Sequence, residues 1–354
     1  MTGTISSFGF GGISSQLLLG VQNLSQSQNS LQLEASTGVL SSSYAGLGAS
    51  RTQALALQPA ITQVSAWMSN ITNTQNTLTT TQTALSQIST IAQDLTSSLS
   101  TLGSTLTYST VTTAATAAQS ALTSLGNLLN TKQGDSYVFA GQQNTTAPVS
   151  TDLGTSDLAT QIEQAVNQLG STTSADDVLR TTEDLASNTA AGQPFSAAVS
   201  TSPDQAYQQK MQAVVGQSET VSVGMVATQS ATATSTTSPI RNLIRNLMVV
   251  ASLASSSASA SDYSSLISGL QSSMETVTSG LGDMSGLLGV QQNSLTTQTS
   301  MLSQMSSALT TQLGQVKDAD LAQVSTQVTN TNNQLQASYS LIADMKGMTL
   351  ASYL

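Results

Sequence analysis

The chain has 354 residues, of which 38% are hydrophobic and only 7% are charged, and its net charge is −10. This acidic balance argues against a nucleic-acid partner, because phosphate binding needs clustered Lys and Arg. The sequence contains neither Cys nor His, which excludes disulfides, thiolate or imidazole metal sites and His-dependent catalytic triads.

The first regular pattern is a heptad ladder near the N-terminus, followed by Gly38 as a C-terminal cap. Its spacings alternate between three and four residues, which predicts one helix whose apolar stripe is buried against another helix. The ladder consists of Leu17, Val21, Leu24, Gln28, Leu31 and Ala35.

A longer ladder runs from Ile61 to Leu102 and predicts a single long helix, with Pro59 either in the first turn or at a kink. A third helix is predicted over Thr110 to Lys132. A short strand is expected at Tyr137 to Phe139, after the Gly134-Asp135 break.

The periodicity weakens between residues 142 and 237. The segment has helical candidates at Leu158–Leu169 and Ala175–Ala190, and a strand pair is expected at Ala213–Val215 and Thr220–Val226.

Pro239 then opens a further helix, on which Arg241 and Arg245 stand at i,i+4 spacing. We expect both to lie on a solvated face or to cap a local carboxylate. A heptad-like helix follows from Asp262 to Val316.

The last ladder begins after Asp318 and Asp320, which fit a helix start because carboxylates favour the N-terminal dipole. It consists of Leu321, Val324, Val328, Thr331, Leu335, Ser338, Ile342 and Met345. The two terminal ladders can bury each other. We therefore predict that the chain assembles through Leu17, Val21, Leu24, Leu31, Leu321, Val324, Val328, Leu335, Ile342 and Met345.

These elements predict a mainly α fold: a long antiparallel coiled-coil helix bundle formed by both termini, with a small mixed α/β or β-containing middle domain. Three domains are expected. They are a terminal coiled-coil domain of residues 1–40 and 318–354, a long helical bundle of residues 41–141 and 238–317, and a variable projecting domain of residues 142–237.

Enzymatic activity, a cofactor and a metal site are not expected. The remaining carboxylate pairs, Asp176-Asp177 and Glu183-Asp184, are better explained as helix caps than as a glycosidase pair. No Gly-x-Ser-x-Gly motif or phosphate-binding loop occurs. The longest apolar stretch is too short to span a bilayer, so no membrane insertion is expected.

Three segments resemble the bacterial flagellin family. Leu31-Gln-Leu-Glu-Ala-Ser-Thr-Gly38 is similar to its N-terminal Leu-Ser-Ser/Thr-Gly segment, Tyr44-Ala-Gly-Leu-Gly48 to the turn before its long helix, and Val316-Lys-Asp-Ala-Asp320 to its C-terminal motif. The resemblance implies a secreted, extracellular subunit of the bacterial flagellum, exported through the type III channel without cleavage. Its terminal helices would pair in the wall of a helical tube.

Within that family, Gly134-Asp-Ser-Tyr-Val-Phe-Ala-Gly141 and the ending Met348-Thr-Leu-Ala-Ser-Tyr-Leu354 resemble the members found at the junction of hook and filament. The implied partners are copies of the chain, other hook-associated proteins, flagellin and a flagellar export chaperone. Bulk filament flagellin is the first alternative. A secreted coiled-coil adhesin is the second, because the Ser- and Thr-rich surface carries little charge.

Overall fold

The structure, a computed structural model, describes residues 10–171, 173–189, 194–256 and 258–347. Over these ranges the chain forms nine α-helices and two small antiparallel sheets, which confirms the predicted mainly α fold. The chain divides into two compact units. We call Met1–Ser65 with Gln304–Leu354 the terminal unit and Ala66–Ser303 the central unit.

The terminal unit contains α1 (Phe10–Thr37) and α9 (Leu321–Gly347). It also contains the beginning of α2 (Arg51–Ser104) and the end of α8 (Ala260–Lys317). Pro59 lies inside α2 rather than in its first turn.

A small apolar cluster packs the beginning of α2 against the end of α8. It is formed by Leu47, Ala54 and Val316, with Tyr44 and Leu313 against it. The Lys317 ammonium lies over the Tyr44 ring, 5.6 Å from its centre, where the ring face attracts a cation.

In the central unit α2 and α8 run antiparallel, as their polar contacts show. The Gln82 amide donates to the Ser285 hydroxyl at 2.7 Å, and the Gln271 amide donates to the Leu99 carbonyl at 3.2 Å. The apolar ladders lie buried beside these bonds. On α2 they include Ile71, Leu78, Leu85, Ile88, Leu95, Leu99 and Leu102, and on α8 Leu266, Leu270, Met274, Val277, Leu281, Leu288 and Leu295.

The shorter helix α3 (Tyr108–Leu129) packs against α7 (Pro239–Ser252). Each begins with a hydroxyl cap, Thr107 for α3 and Ser238 for α7, which satisfies a backbone N–H that has no partner within the helix.

The segment between α3 and α7 is built from short elements. Helices α4 (Asp157–Asn167) and α5 (Ala175–Ser187) pack on α7, and α6 (Pro203–Gln208) follows. The hairpins are β1 (Lys132–Gln133) with β2 (Ser136–Tyr137), and β3 (Met211–Val214) with β4 (Thr220–Val223). The three-domain division drawn from the sequence stays a prediction.

The expectation for Arg241 and Arg245 is wrong, because both side chains are buried. Helix α7 is covered by α3, α4 and α5, and the Arg245 guanidinium also donates to the Ser273 hydroxyl of α8 at 3.1 Å. The Arg241 guanidinium donates to the carbonyls of Ala186 and Thr201 at 3.2 and 3.1 Å. Carbonyl oxygens therefore accept the hydrogen bonds of the Arg241 guanidinium that the prediction assigned to water.

Candidate functional site

The terminal helix pair is the candidate site, and we call its buried contact the terminal seam. On α1 the side chains of Leu17, Val21, Leu24 and Gln28 are half-buried and Leu31 is buried, whereas most of their neighbours are exposed. The pattern follows the predicted ladder up to Leu31. Its last predicted member, Ala35, is exposed.

Helix α9 presents a matching stripe. Val324, Thr331 and Leu335 are buried, and Val328, Ser338 and Ile342 are half-buried. These positions are again separated by three or four residues, so they lie on one face of the helix.

The two stripes meet in antiparallel orientation. Leu31 near the end of α1 packs with Ala319, just before α9, and with Val324 in its first turn, and Val328 packs against this cluster. Further along the seam the Gln28 amide donates to the Asn332 side-chain oxygen. A polar pair inside an apolar seam fixes the register, because a shifted alignment would leave both amides without a partner.

Backbone hydrogen bonds close one end of the seam. The Ala319 N–H donates to the Gly38 carbonyl at 2.9 Å, and the Leu40 N–H donates to the Lys317 carbonyl at 2.7 Å. These two bonds flank an antiparallel bridge between Val39 and Asp318. The connection after α1 is thus tied directly to the connection before α9.

Asp320 caps α9, as the sequence predicts for a carboxylate at this position. Its side-chain oxygen accepts from the N–H groups of Ala322 and Gln323 at 3.0 and 3.2 Å. These are among the four N–H groups that a helix cannot satisfy internally, and a carboxylate there also favours the helix dipole.

Two of the predicted assembly residues stand apart from the others. Leu321, in the first turn of α9, is 54% exposed and does not enter the apolar cluster. Met345 lies on α9, but its side chain is outside the described residues. The assembly role of the whole predicted set stays a prediction.

Sequence reasoning missed Asn332 and Ala319, which both contribute to the seam. Asn332 is polar and Ala319 precedes the helix, so a search for apolar heptads passes over both. The signal that could have revealed Asn332 is its position opposite Gln28 when the two ladders are aligned antiparallel.

The described residues of the seam show no arrangement of side chains typical of a catalytic or metal-binding site. Within the described ranges no three acidic side chains come close enough to hold a metal ion. The ion pair between Arg180 and Asp177 belongs to α5, in the central unit. What the seam offers is apolar burial with a register-setting polar pair.

Residues 271–354 match the family model of the bacterial flagellin C-terminal helical region. The C-terminal part of the chain is similar to this region of flagellins, and we call residues 271–354 the flagellin-like segment. It includes most of α8 and all of α9, so the C-terminal half of the terminal seam lies within it. The match supports the flagellin family for this chain.

Among solved structures, the chain is similar to a protein described as a flagellar hook-associated protein from Vibrio parahaemolyticus, with a TM-score of 0.52. The likeness covers 75% of this chain and 96% of that one at 13% sequence identity, so it concerns the fold. No curated protein matches the sequence. None of the described helices is long and apolar enough to cross a membrane.

Proposed function

We propose that the chain is a structural subunit of the bacterial flagellum that assembles through its paired terminal helices. The observation that carries this proposal is the terminal seam itself, because its α9 half lies in the flagellin-like segment. Partners would be copies of the chain, other hook-associated proteins, flagellin and an export chaperone, and the subunit would act outside the cell.

Apolar side chains outside the seam support assembly with copies. On α1 Leu18, Leu19 and Leu33 are 65%, 59% and 53% exposed, and on α9 Tyr339 and Leu341 are 56% and 51% exposed. Exposed apolar groups concentrated on one helix pair are typical of a protein contact surface. In an assembled tube they would be covered by neighbouring subunits.

The position that we propose is the hook–filament junction, as for hook-associated protein 3. Its support is the Gly134–Gly141 segment, which contains β2 of the β1–β2 hairpin and the residues that follow it, and the description of the similar solved structure as a flagellar hook-associated protein. The tail resemblance at Met348–Leu354 lies outside the described residues. Filament flagellin is the second candidate, supported by the C-terminal family match.

A charge in the seam tests the assembly role. We expect Val328→Asp and Leu335→Asp to leave export normal and to block incorporation, because a buried unpaired carboxylate prevents the helices from pairing. Immunoblots of culture medium and of purified flagella measure the two quantities. Val328→Ile preserves the apolar seam, and Asn293→Asp places the same charge on an exposed position of α8, so both should be incorporated. Normal motility with either seam variant contradicts the proposal.

Electron microscopy of a strain that lacks the gene distinguishes a junction protein from a filament flagellin. Bare hooks with unpolymerised flagellin in the medium are expected for a junction protein. Filaments that lack one component but are otherwise normal are expected for a filament flagellin. A strain that swims normally yet adheres poorly would contradict both.

A further inference from the structure

A cavity of about 330 Å³ lies in the central unit where the middle of α2 meets the β1–β2 and β3–β4 hairpins. We propose that this cavity binds an uncharged saccharide. The proposal is independent of the flagellar role, since it rests on different residues and a different unit of the chain.

Three side-chain amides border the cavity: those of Asn73 and Asn76, which are exposed, and that of Asn144, which is half-buried. Asn73 and Asn76 stand three residues apart on α2, and Asn144 faces the cavity from the loop after the β1–β2 hairpin. Within the described part of the chain none of these three side chains has a hydrogen-bond or ionic partner. Each carboxamide offers two donors and one acceptor with two lone pairs, which suits vicinal hydroxyl groups.

Glycines form much of the remaining wall. Gly134, Gly141 and Gly224 all border the cavity with positive φ angles of 59°, 62° and 76°. A Cβ at Gly141 would collide with the Gln209 carbonyl and the Val226 side chain, whereas Gly134 and Gly224 face open space. At Gly134 and Gly224 the lining is therefore bare backbone, which a ligand can approach closely.

Hydrogen bonds hold this frame in place before any ligand arrives. The Gln291 side chain of α8 accepts from the Gly224 N–H at 2.9 Å, in a buried position. The Thr80 hydroxyl of α2 donates to the Gln133 side chain of the hairpin at 2.8 Å. A preformed cavity of this size is typical of small-molecule sites.

The character of the lining selects the class of ligand. No charged side chain borders the cavity, and its apolar surface comes from Tyr137, Met211 and Met225. The neighbouring Lys132 ammonium lies over the Tyr137 ring, 4.5 Å from its centre. A charged ligand would lose part of its hydration and meet no ionic side chain in the lining itself, and the neighbouring Lys132 ammonium already lies over the Tyr137 ring. A pyranose, by contrast, presents hydroxyls at its rim and an apolar C–H face.

Saturation-transfer NMR and calorimetry on the full chain test the site, with N-acetylglucosamine, cellobiose and lactose as probes and glucose 6-phosphate as the charged comparison. At least one uncharged sugar should bind with a Kd of roughly 1–10 mM, as small ligands with few contacts do. Asn73→Ala combined with Asn76→Ala should weaken this binding at least tenfold. Asn70→Ala is the matched control, since Asn70 is exposed on the same helix but does not border the cavity.

Asn144→Ala removes the amide that the loop after the β1–β2 hairpin contributes to the cavity, and it should also weaken sugar binding. The proposal is overturned if none of the uncharged sugars binds at 50 mM, roughly five times the weakest expected Kd. Unchanged affinity in the double variant, tighter binding of glucose 6-phosphate, or binding of a neutral Ser-Asn-Gly peptide in place of the sugars would overturn it equally.

Discussion

At the scale of single residues, the buried Arg241 shows how a cation can be used inside a nearly uncharged protein. Its guanidinium donates to the carbonyls of Ala186 and Asn188, at the end of α5, and so complements the negative end of that helix dipole. It also reaches the Thr201 carbonyl and lies 5.3 Å from the centre of the Phe195 ring. One side chain thus joins three separate segments to α7.

We expect Arg241→Met to lower the free energy of unfolding of the central unit by about 2 kcal/mol, because buried carbonyls lose their donors. Urea unfolding followed by circular dichroism measures this change. Arg180→Met is the control: Arg180 is 76% exposed and forms only a surface ion pair with Asp177, so its loss should cost at most about 0.5 kcal/mol. Equal effects of the two substitutions would show that the buried hydrogen bonds of Arg241 add nothing to the free energy of unfolding.

Lys210 is another buried cation, with its ammonium 3.3 Å from the centre of the Tyr207 ring. Burial lowers the pKa of Lys210 from 10.5 to about 8, because the charged form loses its hydration. Between these two pH values the unfolded chain binds more protons at this site than the folded chain. The folded state therefore gains stability as pH rises from about 8 towards 10.5.

Lys210→Met should remove this pH-dependent gain. The variant should be more stable than the parent at pH 7, and the difference should shrink as the pH is raised through about 8, since the parent then loses its buried charge. Thermal unfolding of both proteins over pH 7–10 measures the difference, with other titrating groups common to both. A difference that stays constant over this range contradicts the assignment.

At the scale of elements, the end of α1 depends on a single backbone conformation. Gly38 has a φ of 71°, which a residue with a Cβ adopts only with strain. Its N–H donates to the Glu34 carbonyl at 2.8 Å, and its carbonyl accepts from Ala319. The residue thus ends α1 and begins the contact with the α9 connection in one step.

Alanine at Gly38, just after α1, and alanine at Gly20, inside α1, should have opposite effects. Gly38→Ala should destabilise the terminal pair by about 1 kcal/mol through the strained φ. Gly20→Ala should stabilise it by about 0.5–1 kcal/mol, because Gly20 lies inside the helix with open space around it. Hydrogen exchange of α1 and α9 amides in the full-length chain measures both changes. Effects of the same sign would contradict this explanation of the helix end.

At the scale of the whole molecule, stability depends little on charge. Only 7% of residues are charged, and in the described parts of the chain a single ion pair forms, on the surface of α5. Packing within each unit comes instead from apolar ladders and from uncharged bonds such as those of Gln28 and Gln82. The same surface would let copies pack closely without burying unpaired ions.

Unfolding of the full chain should accordingly be almost independent of NaCl. We expect the free energy of unfolding to change by less than about 1 kcal/mol between 0.05 and 0.5 M NaCl, because salt screens mainly exposed ion pairs. Urea unfolding at both concentrations provides the measurement. A steep fall in stability with salt would reveal charge interactions that the described residues do not show.

The seam and the cavity differ in how far the sequence could predict them. Leu31 on α1 and Val324 and Leu335 on α9 belong to ladders whose members stand three or four residues apart, and such a ladder predicts a buried stripe whatever surrounds the helix. Asn73, Asn76 and Asn144 have no such repeat, and nothing in their spacing shows that they border one cavity. Arg241 even gave the wrong expectation, because the sequence does not show that α3, α4 and α5 cover α7.

The sequence by itself determined the long helices, their buried stripes and the cap at Asp320, because periodicity and capping act over a few neighbouring residues. Only the tertiary structure decided that Gln28 meets Asn332, that carbonyls accept from the guanidinium of Arg241, and that Asn73, Asn76 and Asn144 border one cavity. Each of these depends on residues far apart in the chain, whose meeting is set by the packing of whole elements.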